Sequence, residues 1–163
     1  MHNLENLTLV IPARFEADSL PITIKEIKKL YDVKIKVVLQ KDDIETIKSI
    51  KDLDVEILNQ PKKGYGDALI YGISKVQTRF FSIFNADGSF NPREIIDMKN
   101  KLEDEKLDLI FGSRYLKNAG SEDDTFLTFI GNKFFTFFGN VLFQLNISDI
   151  LYTFVLGDTK SVN

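Results

Sequence analysis

Two oxygen-bearing side chains, those of Asn85 and Asp87, follow an apolar run (80–84) and precede a glycine and a serine. At positions i and i+2 of an extended backbone, the two side chains point to the same side. Amide and carboxylate oxygens suit a hard divalent cation, which keeps further coordination positions for phosphate oxygens. The same residue types also favour turns for local reasons, so a plain strand-to-helix turn is the competing interpretation.

A second pattern with possible chemistry is Gly64-Tyr65-Gly66-Asp67, which leads into a segment of helical spacing. Glycines allow backbone N–H groups to approach an anion at a helix N-terminus. The pattern lacks the Lys-Ser/Thr ending of a P-loop. A simple helix-entry turn explains it equally well.

Arg114 and Asp149 are two further candidates, on the C-terminal side of the chain. Arg114 follows a predicted strand, and an arginine suits two-point contact with a phosphate, although a surface ion pair is the alternative. Asp149 has three possible roles: a general base for an acceptor hydroxyl, an orienting group, or a turn carboxylate.

The elements that would position these residues alternate between short apolar runs and segments of helical spacing. The predicted strands are 7–11, 35–39, 55–58, 80–84 and 108–111. Helices are predicted between them, the first with Ser19 as N-cap and the second capped by Asp42 or Asp43. This order predicts one α/β domain over 1–163, with a Rossmann-like, mainly parallel sheet flanked by helices. In such sheets ligands bind beyond the carboxyl ends of the strands, where the polar clusters fall.

The amino-acid composition argues against several classes of function. The 163 residues carry a net charge of −3 with no basic stripe, which argues against nucleic-acid binding. With no cysteine and a single histidine, His2, catalysis and metal binding are left to carboxylates, amides and hydroxyls. A reducing cytoplasm is the expected compartment. No secretory leader or membrane-spanning run is expected.

The segment after Tyr115 has a different character. A polar loop is predicted over 117–125, followed by a segment (126–145) with seven phenylalanines. A helix that is apolar nearly all round either packs inside the protein or lies on a membrane surface. We expect packing inside the protein, with a peripheral membrane contact as the alternative, and we treat 116–149 as an acceptor-side region.

Six segments of the chain form a recognisable series. They are Val10-Ile11-Pro12-Ala13-Arg14-Phe15-Glu16, Lys63-Gly64-Tyr65-Gly66-Asp67-Ala68-Leu69, Asn85-Ala86-Asp87-Gly88-Ser89 with Pro92, Gly112-Ser113-Arg114-Tyr115, Ile130-Gly131-Asn132-Lys133 and Ile147-Ser148-Asp149. Taken in order, these segments resemble glycosyltransferase family 2, the inverting nucleotide-sugar enzymes with the GT-A fold, and particularly the branch of dolichyl-phosphate mannose synthase and polyprenyl-phosphate sugar transferases.

The resemblance implies a role for each candidate residue. Contacts with the donor nucleotide would come from Pro12, Ala13, Glu16, Gly64, Gly66, Asp67, Asn85 and Asp87. It further implies Mg²⁺ or Mn²⁺ at Asp87 with help from Asn85. Arg114 would hold a phosphate and Asp149 would stand beside the attacking oxygen. The implied acceptor is a polyprenyl phosphate at the cytoplasmic face of a membrane.

Three features depart from the family pattern. Asn85 replaces the first aspartate of the metal motif, and Gln40-Lys41-Asp42-Asp43 replaces Asp-Asp-Gly-Ser after the second strand. The chain also ends sooner than the resemblance leads us to expect. A catalytically silent nucleotide-sugar-binding module that acts with another subunit is therefore a second hypothesis. A sugar nucleotidyltransferase is a third, weakened because the loop after the first strand contains no glycine.

Overall fold

The computed structural model describes residues 2–116 and 126–162. The elements, in chain order, are β1 His2–Pro12, α1 Ser19–Leu30, β2 Tyr31–Leu39, α2 Ile44–Ile50, β3 Glu56–Asn59, α3 Tyr65–Ser74, β4 Phe80–Ile83, α4 Glu94–Asp104, β5 Leu109–Phe111, α5 Phe126–Phe143, β6 Val155–Asp158 and a 3₁₀ turn Thr159–Ser161. All five predicted strands are present, β1 being longer than predicted. The polar loop predicted over 117–125 lies outside the described residues.

The strands form one six-stranded sheet in the order β3-β2-β1-β4-β6-β5. Strand β1 pairs in parallel with β2 and β4, and β2 pairs in parallel with β3. The carboxyl ends of these four strands therefore meet at one edge of the sheet. The predicted α/β class with a mainly parallel, helix-flanked sheet is confirmed.

The central strands β1 and β4 hold the buried part of the sheet, whereas β3 and β5 at its edges are at most partly buried. Strand β4 is buried along its whole length, and so is β1 from Leu7 to Pro12. Mainly apolar runs of this kind, interrupted here by Thr8 and Ser82, are typical of parallel strands, whose crossover helices cover both faces. Burying these runs is the main driving force for forming the sheet.

A glycine sets the distance between α3 and the sheet. A Cβ atom at Gly72 would lie 2.8 Å from a methyl carbon of Val38 and would also overlap the side chain of Val10. Only a residue without a side chain allows this approach. The spacing matters for function because α3 begins at the edge of the sheet where the carboxyl ends of β1 and β2 lie.

Strand β6 has no counterpart among the predicted strands. Backbone hydrogen bonds join Asp158 to Asp108 at 2.9 Å and Gly112 to Phe154 at 2.8 Å, so β5 and β6 run in opposite directions. The four residues of β6, Val-Leu-Gly-Asp, follow an apolar stretch in which apolar and polar residues do not alternate, so the sequence does not mark a strand there. The pairing with distant β5 decides its structure.

The sequence predicted the N-cap residues of two helices, and one of these predictions is wrong. Ser19 is not the N-cap of α1, since Asp18 takes that position and makes no side-chain cap hydrogen bond. The Ser19 hydroxyl donates to the carboxylate of Glu16 instead. At α2 the predicted aspartate cap is confirmed, because the Asp43 side chain accepts from the N–H of Thr46.

The chain divides into two compact units, which we describe separately. The first contains 1–110 and 156–163, and the second contains 111–155. The first unit holds most of the sheet with α1 to α4. The second holds α5 and the segments that flank it.

Candidate functional site

In the first unit, the predicted donor-binding residues Pro12, Ala13 and Glu16 lie at the end of β1 and in the loop that follows it. Ala13 N–H completes the sheet by donating to the carbonyl of Val38 at 3.0 Å. Two residues later the backbone turns sharply, with Phe15 at φ +59°, a left-handed conformation that a large side chain rarely adopts. The loop therefore has one defined and locally strained shape.

The start of α2 holds this loop in place. Phe15 N–H donates to the carboxylate of Asp43 at 2.7 Å, and Glu16 N–H donates to the hydroxyl of Thr46 at 3.0 Å. Both acceptor residues are buried. The sequence predicts Asp42 or Asp43 as the helix cap but gives no sign of the second bond of Asp43, and it indicates no role for Thr46.

The Gly64 to Asp67 segment forms the entry to α3. Gly64 has φ +109°, which explains the glycine at this position, and its carbonyl accepts from the side chain of Gln60 at 2.7 Å. The Asp67 carboxylate accepts from the N–H of Lys62 at 3.2 Å, which closes the turn. A Cβ atom at Gly64 or Gly66 would meet nothing within 4 Å, so this side of the helix start is open.

Asn85 and Asp87 lie in the turn after β4, on the carboxyl edge of the sheet. Asp87 is exposed, and its Oδ1 accepts from the N–H of Ser89 at 2.9 Å. Asn85 is half-buried, and its Nδ2 donates to the Ser89 hydroxyl at 3.0 Å. The hydroxyl of Thr23 on α1 donates to the carbonyl of Ala86 at 3.1 Å, which connects the turn to α1.

These two residues fit a divalent cation only in part. Within the described residues no group of three His, Cys, Asp or Glu side chains is arranged to hold a metal ion. One carboxylate and one amide oxygen supply two oxygen ligands, which suits Mg²⁺ or Mn²⁺ only if phosphate oxygens of a bound ligand complete the shell. The residues therefore fit a cation that arrives together with a diphosphate.

In the second unit, Arg114 and Asp149 form a two-point ion pair. Arg114 Nε lies 2.8 Å from Asp149 Oδ2, and Arg114 Nη2 lies 3.0 Å from Oδ1. The backbone N–H of Arg114 adds a bond to Oδ2 at 3.2 Å. Asn132 donates from Nδ2 to Oδ1 at 2.5 Å. Four donors thus surround the carboxylate of Asp149, a residue that is only 1% exposed.

This environment keeps Asp149 ionised. Burial alone would raise the pKa of its carboxyl, but the hydrogen bonds from Arg114 and Asn132 and the charge of Arg114 together hold the pKa below its usual value. About four lone-pair directions are available on a carboxylate, and four donors engage them. Of the roles that the sequence left open, the contacts favour an orienting group over a general base.

The polar side chains of α5 connect this pair to the rest of the second unit. The hydroxyl of Thr136 donates to Asn132 Oδ1 at 3.2 Å and accepts from the N–H of Ile150 at 3.1 Å. One turn further along, Asn140 binds the N–H and the carbonyl of Ile147 at 3.1 and 2.8 Å. Asn132, Thr136 and Asn140 thus form a polar row along α5. The sequence contained a signal for this row, because polar residues four positions apart on a mainly apolar helix share one face.

The apolar side chains of α5 correct the expectation that this segment is packed inside the protein. Phe137 is 62% exposed and Phe143 is 71% exposed. The exposed apolar set, here called the phenylalanine face, comprises Phe129, Ile130, Phe134, Phe135, Phe137, Phe138, Val141, Leu142 and Phe143. The polar row forms the buried side of the helix instead, because it satisfies the backbone of the turn that follows. Within 2–116 and 126–162, no helix is long and apolar enough to cross a bilayer.

Solved structures show the same fold. Glucosyl-3-phosphoglycerate synthase from Mycobacterium tuberculosis, in complex with Mn²⁺, UDP and glucosyl-3-phosphoglycerate, matches with a TM-score of 0.75 at 13% identity, over 96% of this chain and 58% of that chain. The same enzyme with UDP matches with a TM-score of 0.71 at 13% identity and the same coverage. CMP:2-keto-3-deoxy-manno-octonic acid synthetase with CTP is more distant, with a TM-score of 0.50 at 14% identity over 63% of this chain and 50% of that chain.

The fold of this chain is therefore the GT-A fold, as predicted. The chain spans 58% of the length of the synthase. Residues 8–163 match the family model for glycosyl transferase family 2. Because this match takes in nearly the whole chain, the chain belongs to glycosyltransferase family 2.

Proposed function

We propose that this chain transfers a sugar from a nucleoside-diphosphate sugar to an acceptor, with inversion at the anomeric carbon. One observation carries the proposal: exposed Asp87 lies on the carboxyl edge of four parallel strands, beside the loop after β1. Ligands of open α/β sheets bind at this edge. Family membership, and the UDP and Mn²⁺ bound by the M. tuberculosis synthase, support the choice of donor.

The donor nucleotide would lie along the loops of the first unit. The loop after β1 would contact the base and ribose through Pro12, Ala13 and Glu16. The open turn at Gly64 and Gly66 would admit a phosphate to the start of α3, where backbone N–H groups and the helix dipole favour an anion. Asp67 closes that turn through its bond to Lys62, so its role would be to shape the phosphate site.

A divalent cation, Mg²⁺ or Mn²⁺, would stabilise the negative charge that develops on the departing diphosphate. Asp87 and Asn85 would hold it. The Asp87 Oδ1 already accepts from the N–H of Ser89, which orients the carboxylate without neutralising it. In the transfer itself, an acceptor oxygen attacks the anomeric carbon. The bond to the diphosphate oxygen breaks, and the electron pair leaves with the nucleoside diphosphate.

Arg114 would bind a phosphate group, and Asp149 would orient it. The two bonds to Asp149 fix the plane of the Arg114 guanidinium. A guanidinium held in one orientation is suited to bidentate contact with a phosphate. An acceptor that is itself a phosphate is already ionised at neutral pH. Such an acceptor needs no general base, in agreement with the contacts of Asp149.

A polyprenyl phosphate is the acceptor that we propose. The support comes from the phenylalanine face, an exposed apolar surface much larger than single exposed side chains. Aromatic side chains on one side of a helix can insert into the headgroup region of a bilayer, where the lipid phosphate would be presented. The protein would then act as a peripheral protein at the cytoplasmic face of the membrane.

A silent nucleotide-sugar-binding module is the second candidate. The observation that favours it is Asn85, which leaves Asp87 as the sole carboxylate of the metal motif. Both candidates require the donor to bind, so binding alone does not separate them.

Turnover separates the two candidates. Purified protein is incubated with UDP-, GDP- and dTDP-sugars and Mn²⁺, with and without a polyprenyl phosphate in detergent, and nucleoside diphosphate is measured. Release that depends on the lipid supports the enzyme. Release by hydrolysis alone supports a transferase with another acceptor, and binding with no release from any donor supports the silent module.

A further inference from the structure

The loop after β1 combines strain with exposure. Phe15 adopts φ +59°, yet 73% of the residue is exposed, so burial of its ring does not offset the strain of the backbone. The guanidinium carbon of Arg14 lies 5.0 Å from the centre of the ring, and this contact is on the surface as well. Residues held in rare backbone conformations persist only when surrounding contacts force them, and they cluster at functional sites.

Two buried acceptors supply that force. Asp43 is 3% exposed and Thr46 is 0% exposed, and they accept from the consecutive N–H groups of Phe15 and Glu16. The bond to Asp43 is short and charge-assisted, which makes it the stronger of the two. The same carboxylate caps α2 through the N–H of Thr46 at 3.4 Å. Helix α2 and the loop are thus fixed by one shared pair of side chains.

The loop is also fixed on its other side. Glu16 accepts from the N–H of Leu20 through its carbonyl at 3.1 Å and from the Ser19 hydroxyl through its side chain. Helix α1 therefore begins directly from the strained turn. A change at Thr46 or Asp43 would leave these bonds in place, although a change at Asp43 would also affect the cap of α2.

We propose that Asp43 and Thr46 are positioning residues for the donor site: they hold the loop from Pro12 to Glu16 in the strained shape that contacts the nucleotide, without touching the nucleotide themselves. The inference rests on the proposed function, since it assigns a role to residues behind the donor loop. Pre-organisation of this kind raises affinity, because the loop loses its conformational entropy during folding and not during binding.

The test compares two buried hydroxyl groups of the first unit. Thr46→Val removes the acceptor of Glu16 N–H with little change in volume. Thr8→Val is the matched control, because Thr8 is also buried, and its hydroxyl bonds Thr78 at 2.7 Å, away from the donor loop. Titration with UDP, GDP and dTDP in the presence of Mn²⁺ is followed by calorimetry, and amide hydrogen exchange of Glu16 is followed by NMR.

Thr46→Val is expected to weaken nucleotide binding about tenfold and to speed exchange of the Glu16 amide, because a loop N–H is left without its partner. Thr46→Ser, which keeps the hydroxyl, should restore most of the affinity. Thr8→Val should lose comparable stability with no change in affinity. If Thr46→Val does not fold, Asp43→Asn is used, which weakens the bond to Phe15 while keeping a helix cap.

Three outcomes separate the hypotheses. A selective loss of affinity in Thr46→Val, or in Asp43→Asn, supports the positioning role. Equal affinities in the Thr46 and Thr8 variants overturn it while the proposed function stands. Failure of the unmodified protein to bind UDP, GDP or dTDP in the presence of Mn²⁺ overturns the proposed function, and the positioning role falls with it.

Discussion

Asp149 and Arg114, 35 residues apart in sequence, form a buried two-point ion pair with distances of 2.8 and 3.0 Å. The pair connects the segment after β5 to the segment after α5 within the second unit. Asn132 on α5 donates to the same carboxylate and so includes the helix in the network. Asp149 belongs to a family motif and was expected near the acceptor. The geometry of this network explains why it is better suited to orient Arg114 than to remove a proton.

The pair predicts a specific dependence of stability on pH. The partners of Asp149 hold the pKa of its carboxyl below its usual value in the folded state, so as the pH falls below about 5 the unfolded chain binds more protons at this position than the folded chain does. The free energy of unfolding should therefore fall as the pH falls through the unfolded pKa towards the folded pKa. Asp149→Asn should show a shallower fall as the pH drops below about 5. It should also lose about 3 kcal/mol at pH 7, because the ion pair with Arg114 is broken.

Denaturant unfolding at a series of pH values measures both quantities. Asp32→Asn is the control, since Asp32 is exposed at the start of β2. The control should follow the unmodified protein throughout. An Asp149→Asn curve parallel to that of the unmodified protein would show that the carboxylate is not held ionised by its partners.

The two α3 glycines should respond oppositely to alanine. Gly72→Ala forces a Cβ against Val38 and Val10 and should lower the free energy of unfolding by about 1–3 kcal/mol. Gly66→Ala meets nothing within 4 Å and should raise it by up to about 1 kcal/mol, because alanine favours the helix. Thermal or denaturant unfolding measures both. A destabilised Gly66→Ala would contradict the open helix start described here.

The phenylalanine face should control binding to membranes. Phe134→Ser combined with Phe137→Ser should abolish flotation with phospholipid vesicles, since each phenylalanine that inserts contributes about 2 kcal/mol. Stability should change little because both side chains are exposed. Ile70→Ser, at an equally exposed apolar position on α3, is the matched control and should float like the unmodified protein. If the unmodified protein does not float, the lipid acceptor is rejected.

Much of the first unit could be predicted from its sequence. Strand β4 and the second half of β1 are buried, so their mainly apolar runs are easy to recognise, and the polar residues after them mark the carboxyl edge of the sheet. The aspartate cap of α2 was also predicted, because capping depends on residues close together in the chain.

Long-range pairing explains what the sequence did not show. Strand β6 is set by long-range pairing, because Asp158 and Phe154 bond with the two residues that flank β5, more than 40 positions earlier. The second bond of Asp43 reaches Phe15 across 28 residues. The burial of α5 was wrongly predicted, since counting apolar residues does not reveal that the polar row of Asn132, Thr136 and Asn140 faces the protein.

Calorimetric titration with UDP or GDP tests most directly whether Asp87 connects a divalent cation to a nucleoside diphosphate, on which the proposed activity depends. Unmodified protein should bind in the presence of Mn²⁺ or Mg²⁺ and lose binding with a chelator. Asp87→Ala should abolish the cation-dependent binding, and Asp32→Ala should retain it. Binding that survives both the chelator and the loss of the Asp87 carboxylate would contradict the account.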